Sequence, residues 1–282
     1  LHTSIKTAEI ILSALPYIQK FRDKIIVVKF GGSTQIKPEF KQEFARDMVL
    51  LQIVGIKVVI VHGGGKKINE FLQKTDIKSE FVNGIRKTSL EALEVAEMVL
   101  CGNINKELTN LLNFHGAKAI GVSGKDLGLF KAKALDMDNL GFVGKIIDVN
   151  ASAINDLLNL GIMPVISPIA AGDENSVNGY NVNADLCACE IAKALHASKV
   201  VFLSDISGIL DKDQKLISKL NKADIKRLID DGTISGGMIP KALSCVECIE
   251  NGVEKAHIIN GKIMHSILLE LFTDVGIGSM IG

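Results

Sequence analysis

Along the chain, short apolar runs rich in β-branched residues alternate with longer stretches in which apolar positions return every three or four residues. The runs Ile25 to Phe30, Lys57 to Val61, Lys118 to Val122, Met163 to Ile169, Lys199 to Leu203 and Ala256 to Ile259 read as strands buried on both faces. Between them, Glu39 to Val54, Leu90 to Phe114, Ala151 to Leu160, Ala184 to Leu195 and Met238 to Asn251 have helical spacing. Strands alternating with helices predict an α/β fold with a mostly parallel sheet covered on both faces. In such sheets ligands sit beyond the carboxyl ends of the strands, so the loops there are where chemistry is sought. Phe81 to Lys87 and Lys131 to Val149 break the pattern with Gly and Asn, predicting hairpins that form a lid or rim. Ile5 to Phe21, interrupted by Pro16, reads as an added amphipathic helix ahead of the first core strand.

Composition narrows this picture only a little. A chain of 282 residues, 47% apolar and 23% charged, can bury a sizeable core as one large domain or two lobes. With 32 basic and 32 acidic side chains it shows no nucleic-acid footprint. Every apolar run is cut by Gly, Pro or a charge well short of the roughly 20 residues a membrane span needs. These features predict a soluble intracellular protein with no membrane partner. Five cysteines, Cys101, Cys187, Cys189, Cys245 and Cys248, suit reduced thiols better than a disulfide framework. The chain begins at Leu1 rather than Met, which predicts that a few residues precede it.

Two predicted strands end alike, in Val27-Val28-Lys29-Phe30-Gly31-Gly32-Ser33 and Val59-Ile60-Val61-His62-Gly63-Gly64-Gly65. Glycine after a strand is by itself only a tight turn, but two such turns, one with a Lys at the strand end, suggest anion cradles. Bare backbone N–H groups and a helix N-terminus both favour negative charge there. Neither loop carries Gly-Lys-Ser/Thr at Walker spacing, and neither matches the dinucleotide Gly-x-Gly-x-x-Gly pattern. A third stretch, Ser235-Gly236-Gly237-Met238-Ile239-Pro240-Lys241, opens another helix with a second Lys. Phosphoryl transfer needs cations at both ends of the migrating group, and Lys29 and Lys241 are the candidates.

Asn181-Val182-Asn183-Ala184-Asp185 precedes a predicted helix. One of its polar residues is accounted for as an N-cap; Asp185 is placed to hold two ammonium groups, and Asn181 to donate to a substrate. Arg86 in Phe81-Val82-Asn83-Gly84-Ile85-Arg86 reads either as a clamp on a substrate carboxylate or as an exposed strand residue.

Taken in order, Lys-Phe-Gly-Gly at 29 to 32, Val-His-Gly-Gly-Gly at 61 to 65, Val-Asn-Gly-Ile-Arg at 82 to 86, Asn-Val-Asn-Ala-Asp at 181 to 185, Leu-Ser-Asp-Ile-Ser-Gly at 203 to 208 and Gly-Gly-Met-Ile-Pro-Lys at 236 to 241 resemble the acetylglutamate kinases. These are the arginine-pathway members of the amino acid kinase superfamily, and the resemblance runs from about Ile5 to Gly282. It implies a three-layer α/β/α sandwich around the mostly parallel sheet. An N-terminal lobe, residues 1–194, would bind N-acetyl-L-glutamate and pair subunits, and a C-terminal lobe, residues 195–282, would bind ATP.

By the same match Lys29 and Lys241 stabilise the transferring phosphoryl group and Asp185 orients them. Gly64, Gly65, Arg86 and Asn181 grip acetylglutamate, while Gly31, Gly32, Ser204, Asp205 and Gly237 contact the nucleotide. Mg-ATP enters as a substrate, its Mg²⁺ held by phosphate oxygens and water, with no protein residue assigned to metal. The N-terminal helix 5–21 and the final segment resemble those of arginine-sensitive enzymes. That implies feedback inhibition by L-arginine at a pocket of Tyr17, Lys212, His257, Glu270 and Gly276, in a homohexamer built as a trimer of dimers. The overall similarity of the C-terminal third adds the PII signalling protein as a partner, and with it a plastid stroma as the alternative to a bacterial cytoplasm. Cys187 and Cys189 stand where the family often has Ala, which brings thiols near Asp185 and with them sensitivity to thiol reagents. Cys245 and Cys248 read as packing residues on a helix.

Aspartokinase, carbamate kinase and uridylate kinase share Lys-x-Gly-Gly openings; the motifs at 82 to 86 and 181 to 185 separate the chain from them. From another class, a catalytically silent arginine or nitrogen sensor would keep the fold, but the intact Lys29, Asp185 and Lys241 argue against it.

Overall fold

The computed structural model describes residues 2–31, 37–78, 80–82, 85–174 and 176–282. In chain order the strands are β1 (Ile25–Phe30), β2 (Lys57–His62), β3 (Phe81–Val82), β4 (Ile85–Arg86), β5 (Ala119–Ser123), β6 (Phe130–Ala134), β7 (Gly144–Val149), β8 (Met163–Ser167), β9 (Ile169–Ala170), β10 (Tyr180–Asn181), β11 (Lys199–Ser204), β12 (Lys219–Leu220), β13 (Lys255–Asn260) and β14 (Ser279–Ile281). The helices are α1 (His2–Ser13), α2 (Leu15–Phe21), α3 (Pro38–Ile53), α4 (Gly65–Lys74), α5 (Leu90–Glu97), α6 (Asn105–Phe114), α7 (Met137–Leu140), α8 (Ala151–Asn159), α9 (Ala184–Ala194), α10 (Lys222–Asp230), α11 (Met238–Glu250) and α12 (Ser266–Leu271).

Eight strands form one sheet in the order β12-β14-β13-β11-β1-β2-β8-β5, parallel except where β14 runs against β13. Because strand side chains alternate faces, each apolar run feeds two cores at once. Val27, Val59, Val61, Val200 and Phe202 point to the layer of α8, α9 and α11. Ile26, Val28, Ile60, Val201 and Leu203 point to that of α3, α6 and α12. The outcome is the three-layer α/β/α sandwich expected from the sequence. A third apolar cluster joins α4 and α5 to the segment 98–104 and to Ile169.

Three elements differ from the sequence expectation. The added N-terminal helix is two helices parted at Ala14, with Pro16 in the first turn of α2, where its missing N–H costs nothing. The strand from Met163 stops at Ser167, because Pro168 has no N–H for the ladder; β9 resumes on the other side of it. Leu90 to Phe114 is not one regular helix: Met98–Ile104 is π-helical between α5 and α6. The two expected hairpins are present, as β3 against β4 and β6 against β7.

The chain passes from β1 to β2 on one side and returns to β11 on the other, so the sheet order reverses at β1. At such a switch point the connections diverge and leave a crevice beyond the carboxyl ends of the strands.

Candidate functional site

Lys29 is the last residue of β1 on the face of Val27, in register with Phe202 of β11. That face carries α9 and α11, whose first turns supply Asp185 and Lys241. The Lys29 ammonium lies 2.9 Å from Asp185 Oδ1, and Lys241 Nζ donates to Asp185 Oδ2 at 2.6 Å. Burial alone would raise the Asp185 pKa, but the two ammonium groups outweigh it and hold the carboxyl at about 2. The carboxylate is therefore charged at every working pH and fixes two cations at the crevice. A Cβ on Gly31 would lie 2.6 Å from Lys29 Nζ and would push that ammonium from its place beside Asp185.

Local sequence accounts for the helix starts. Asn183 Oδ1 accepts from the backbone N–H of Asp185 at 2.8 Å and of Leu186 at 3.2 Å, so Asn183 is the cap and Asp185 is left for the lysines. Asn181 lies two residues earlier, on β10, and its backbone N–H donates to Phe142 O at 2.9 Å. Gly236, at φ 53°, turns the chain into α11 in a left-handed conformation that favours glycine, and Gly237 is the residue before the helix.

The Gly63 to Gly65 loop leaves β2 next to this cluster, and a Cβ on Gly63 would sit 3.7 Å from the Cβ of Ala184. Arg86 closes the far side, its Nη2 donating to Gly65 O at 3.2 Å and its guanidinium lying 4.8 Å over the Phe81 ring. Arg86 is buried, not the exposed strand residue that was the alternative, and burial lowers its pKa. A cavity of about 410 Å³ opens beside Gly64 and Gly65, between Phe30, Lys67 and Glu107. Ser204 ends β11, and Asp205 follows it, exposed, its carbonyl facing Lys262 Nζ at 3.5 Å. Gly32 lies outside the described residues, as do Asn83 and Gly84 of the β3–β4 turn.

A second cluster stands apart from the lysine pair, on the opposite face of the sheet. His257 Nδ1 donates to Glu270 Oε1 at 2.6 Å, and Glu270 Oε2 accepts from the backbone N–H of Ile277 at 2.7 Å and of Gly278 at 3.1 Å. Burial would raise the Glu270 pKa, but His257 and these two N–H groups hold it down. Gly276 is pressed against this carboxylate, 2.6 Å from Oε2 if it carried a Cβ. Tyr17 reaches the same neighbourhood by hydrogen-bonding Asp274.

Lys212 does not join this cluster. It is exposed and faces Asp231 at 3.7 Å, because the turn after Leu210 carries it to the end of α10. Lys199 takes the position instead: its buried ammonium donates to His257 Nε2 at 2.8 Å and lies 5.3 Å over the Phe21 ring. Burial, then Lys255, lowers its pKa to about 8. The sequence carried a signal for it, a charge opening an otherwise apolar run in a central strand.

The cysteines beside the first cluster are less reactive than their position suggested. Cys187 and Cys189 are buried and burial raises their pKa, with a hydrogen bond to Cys248 the larger cause for Cys189, which disfavours the thiolate that a reagent attacks. Cys245 and Cys248 are likewise buried, in the α9–α11 packing.

Comparison with known proteins gives one answer. Residues 24–260 match the sequence model of the amino acid kinase family. The chain is 63% identical to the acetylglutamate kinase of Campylobacter fetus over 99% of both chains. It is 56% identical to that of Helicobacter hepaticus over 97% of this chain and 98% of the other. Among solved structures, an N-acetylglutamate synthase from Neisseria gonorrhoeae bound to coenzyme A and N-acetyl-glutamate superposes with a TM-score of 0.85 at 24% identity. The match covers 96% of this chain and 62% of the synthase. Carbamate kinase from Giardia lamblia bound to AMP-PNP superposes with a TM-score of 0.69 at 15% identity, over 92% and 98% of the two chains. These two similarities bear on the fold alone.

Proposed function

The chain belongs to the amino acid kinase family, and within it to the acetylglutamate kinases, and on that footing we propose that it transfers the γ-phosphoryl group of ATP to the γ-carboxylate of N-acetyl-L-glutamate. The product is N-acetyl-L-glutamyl 5-phosphate, and the step is the second of arginine biosynthesis. The observation that carries the reading is the single carboxylate of Asp185 holding the Lys29 and Lys241 ammonium groups beside the Gly63 to Gly65 loop and Arg86.

In this reading an oxygen of the acceptor carboxylate attacks the γ-phosphorus. The bond from phosphorus to the β,γ-bridging oxygen breaks, and ADP leaves with its electron pair. The acceptor is already ionised at pH 7, so no general base is required. The protein's contribution is positioning and charge: Lys29 and Lys241 face the oxygens on which charge spreads, Gly64 and Gly65 supply N–H groups, and Arg86 and Asn181 hold the acceptor. Gly31, Ser204, Asp205 and Gly237 line the nucleotide side, and Mg²⁺ arrives with ATP, held by phosphate oxygens and water. The acceptor would sit on the side of residues 1–194 and the nucleotide on that of 195–282. A coupled ADP-release assay is expected to give turnover that depends on N-acetyl-L-glutamate. Release that ignores the acceptor would reject the assignment.

L-arginine inhibition is the second part of the proposal, with the ligand held at the Lys199, His257 and Glu270 cluster and the segment from Asp274 to Gly278. A buried carboxylate suits a guanidinium or α-ammonium, and a buried lysine suits the α-carboxylate. The assembly proposed is a hexamer, in which α1 of one subunit packs on α1 of another. Ile10, Ile11 and Leu12 are 63% to 65% exposed on that helix, whereas α2 is held on its own subunit by Phe21 and Tyr17. Among the described residues no helix is long and apolar enough to cross a membrane, and the relatives compared are bacterial, which favours cytoplasm over plastid. Co-elution with a cognate PII protein decides that partner.

Glu270→Gln is expected to keep catalysis and lose arginine inhibition, and deletion of residues 1–14 to give dimers with a weakened arginine response. Because the folded Lys199 gives up its proton near pH 8 rather than near its usual value, inhibition should weaken as pH rises through about 8. Arginine curves at about pH 7 and pH 9 measure this; unchanged inhibition in the variants and across pH would place arginine elsewhere.

A further inference from the structure

We propose that His62 is a positioning residue for the transfer reaction, fixing the Gly63–Gly64 peptide so that the Gly64 N–H is presented to the reacting groups. This rests on the reading that the Gly63 to Gly65 loop belongs to the transfer site.

His62 ends β2 on the face that carries α6 and is completely buried. Its Nδ1 is 3.1 Å from Gly63 O, and its Nε2 is 3.1 Å from Nδ2 of Asn105, itself buried. The hydrogen positions follow from the partners. Asn105 Nδ2 also donates to Val165 O at 2.8 Å; turning the amide over would set two acceptor oxygens against each other, so its nitrogen faces His62. His62 Nε2 must then accept, and Nδ1 must carry the proton and donate to Gly63 O. Burial lowers the His62 pKa to about 4, so this neutral tautomer persists across the working pH range.

The donated bond turns the Gly63 carbonyl toward the buried ring. In a planar trans peptide the next N–H points the opposite way, so the N–H of Gly64 faces away from the core. Gly63 N is fixed as well, by Phe30 O at 2.9 Å, which ties the loop to the end of β1 close to Lys29.

The π-helical segment sets the other half of the device. Within Met98–Ile104 the wider turn leads directly into Asn105, the first residue of α6, whose amide meets His62. Leu100 and Ile104 of the same segment close on Gly64, where a Cβ would lie 2.7 Å from one and 2.4 Å from the other. Gly121 makes room for the amide: a Cβ on it would fall 2.0 Å from Asn105 Oδ1. A π-helical turn disrupts regular helix bonding and is often found at functional sites; here it supports the loop from behind.

Two substitutions separate the nitrogens, because the amide of Asn reaches the place of Nδ1 and that of Gln the place of Nε2. In His62→Gln, kcat should fall about tenfold or more with the KM for ATP unchanged, since a donor aimed at developing charge is misdirected. His62→Asn should recover most of that loss. Equal kcat in the two variants, or a fall in melting temperature with unchanged kcat, would overturn the proposal. Nitrogen NMR of the unsubstituted protein gives a readout that needs no acceptor: His62 should be neutral with Nδ1 protonated at pH 7. A proton on Nε2, or a charged ring, would overturn the inference. If the protein proves inactive on N-acetyl-L-glutamate while His62 shows the expected tautomer, it is the functional reading that fails.

Discussion

Lys29→Ala and Lys241→Ala are each expected to lower kcat by about a hundredfold or more while leaving both KM values within a few-fold. In the proposed reaction charge spreads over the γ-phosphoryl oxygens and onto the departing ADP, and each lysine would meet charge that is absent before transfer. The Asp185 carboxylate, 2.9 Å and 2.6 Å from the two ammonium groups, keeps both in place before substrate binds. Each lysine side chain is only 13% to 14% exposed, so bulk water cannot substitute for either. Asp185→Asn should also be strongly impaired, because two neighbouring cations lose the anion that gathers them. Steady-state kinetics with each substrate varied gives the required split. Unchanged kcat in both lysine variants would remove them from the reaction.

For Arg86→Ala the pattern is the reverse, with the KM for N-acetyl-L-glutamate rising about 30-fold or more and that for ATP unchanged. Loss of a hydrogen-bonded charge contact of about 2 kcal/mol or more accounts for that size. Arg86 already donates to Gly65 O and stacks over Phe81, so it joins the β3–β4 hairpin to the Gly63 to Gly65 loop before any ligand arrives. Arg86→Lys should not restore binding, since a lysine has neither the planar fork nor the stacking face. A rise in the KM for ATP alone would move Arg86 to the nucleotide side.

Much of this site was legible in the sequence because its residues stand at positions with their own local signature. Lys29 sits at a strand end before glycines, and Asp185 follows an N-cap at a helix start. These are the places where a parallel sheet opens its crevice, so finding the strands pointed to the candidate site. Lys199 escaped because its partner is set by register: Lys199 pairs along the ladder with Lys255, and His257 lies two residues further along that neighbouring strand. The pairing of β11 with β13 cannot be read from spacing within either run. His62 and Asn105 were hidden for a related reason, since a π-helical turn shifts the phase of a helix without changing its apolar content. The short strands β12 and β14, at one end of the sheet, carry too few residues for any period to show.

The most direct test of the account traps the product. Incubated with Mg-ATP, N-acetyl-L-glutamate and hydroxylamine, the protein should form N-acetyl-L-glutamyl 5-hydroxamate in step with ADP, because an acyl phosphate is intercepted by the amine. Formation of ADP without hydroxamate would mean that the phosphoryl group goes to water or to another acceptor, and would contradict the assigned carboxylate transfer.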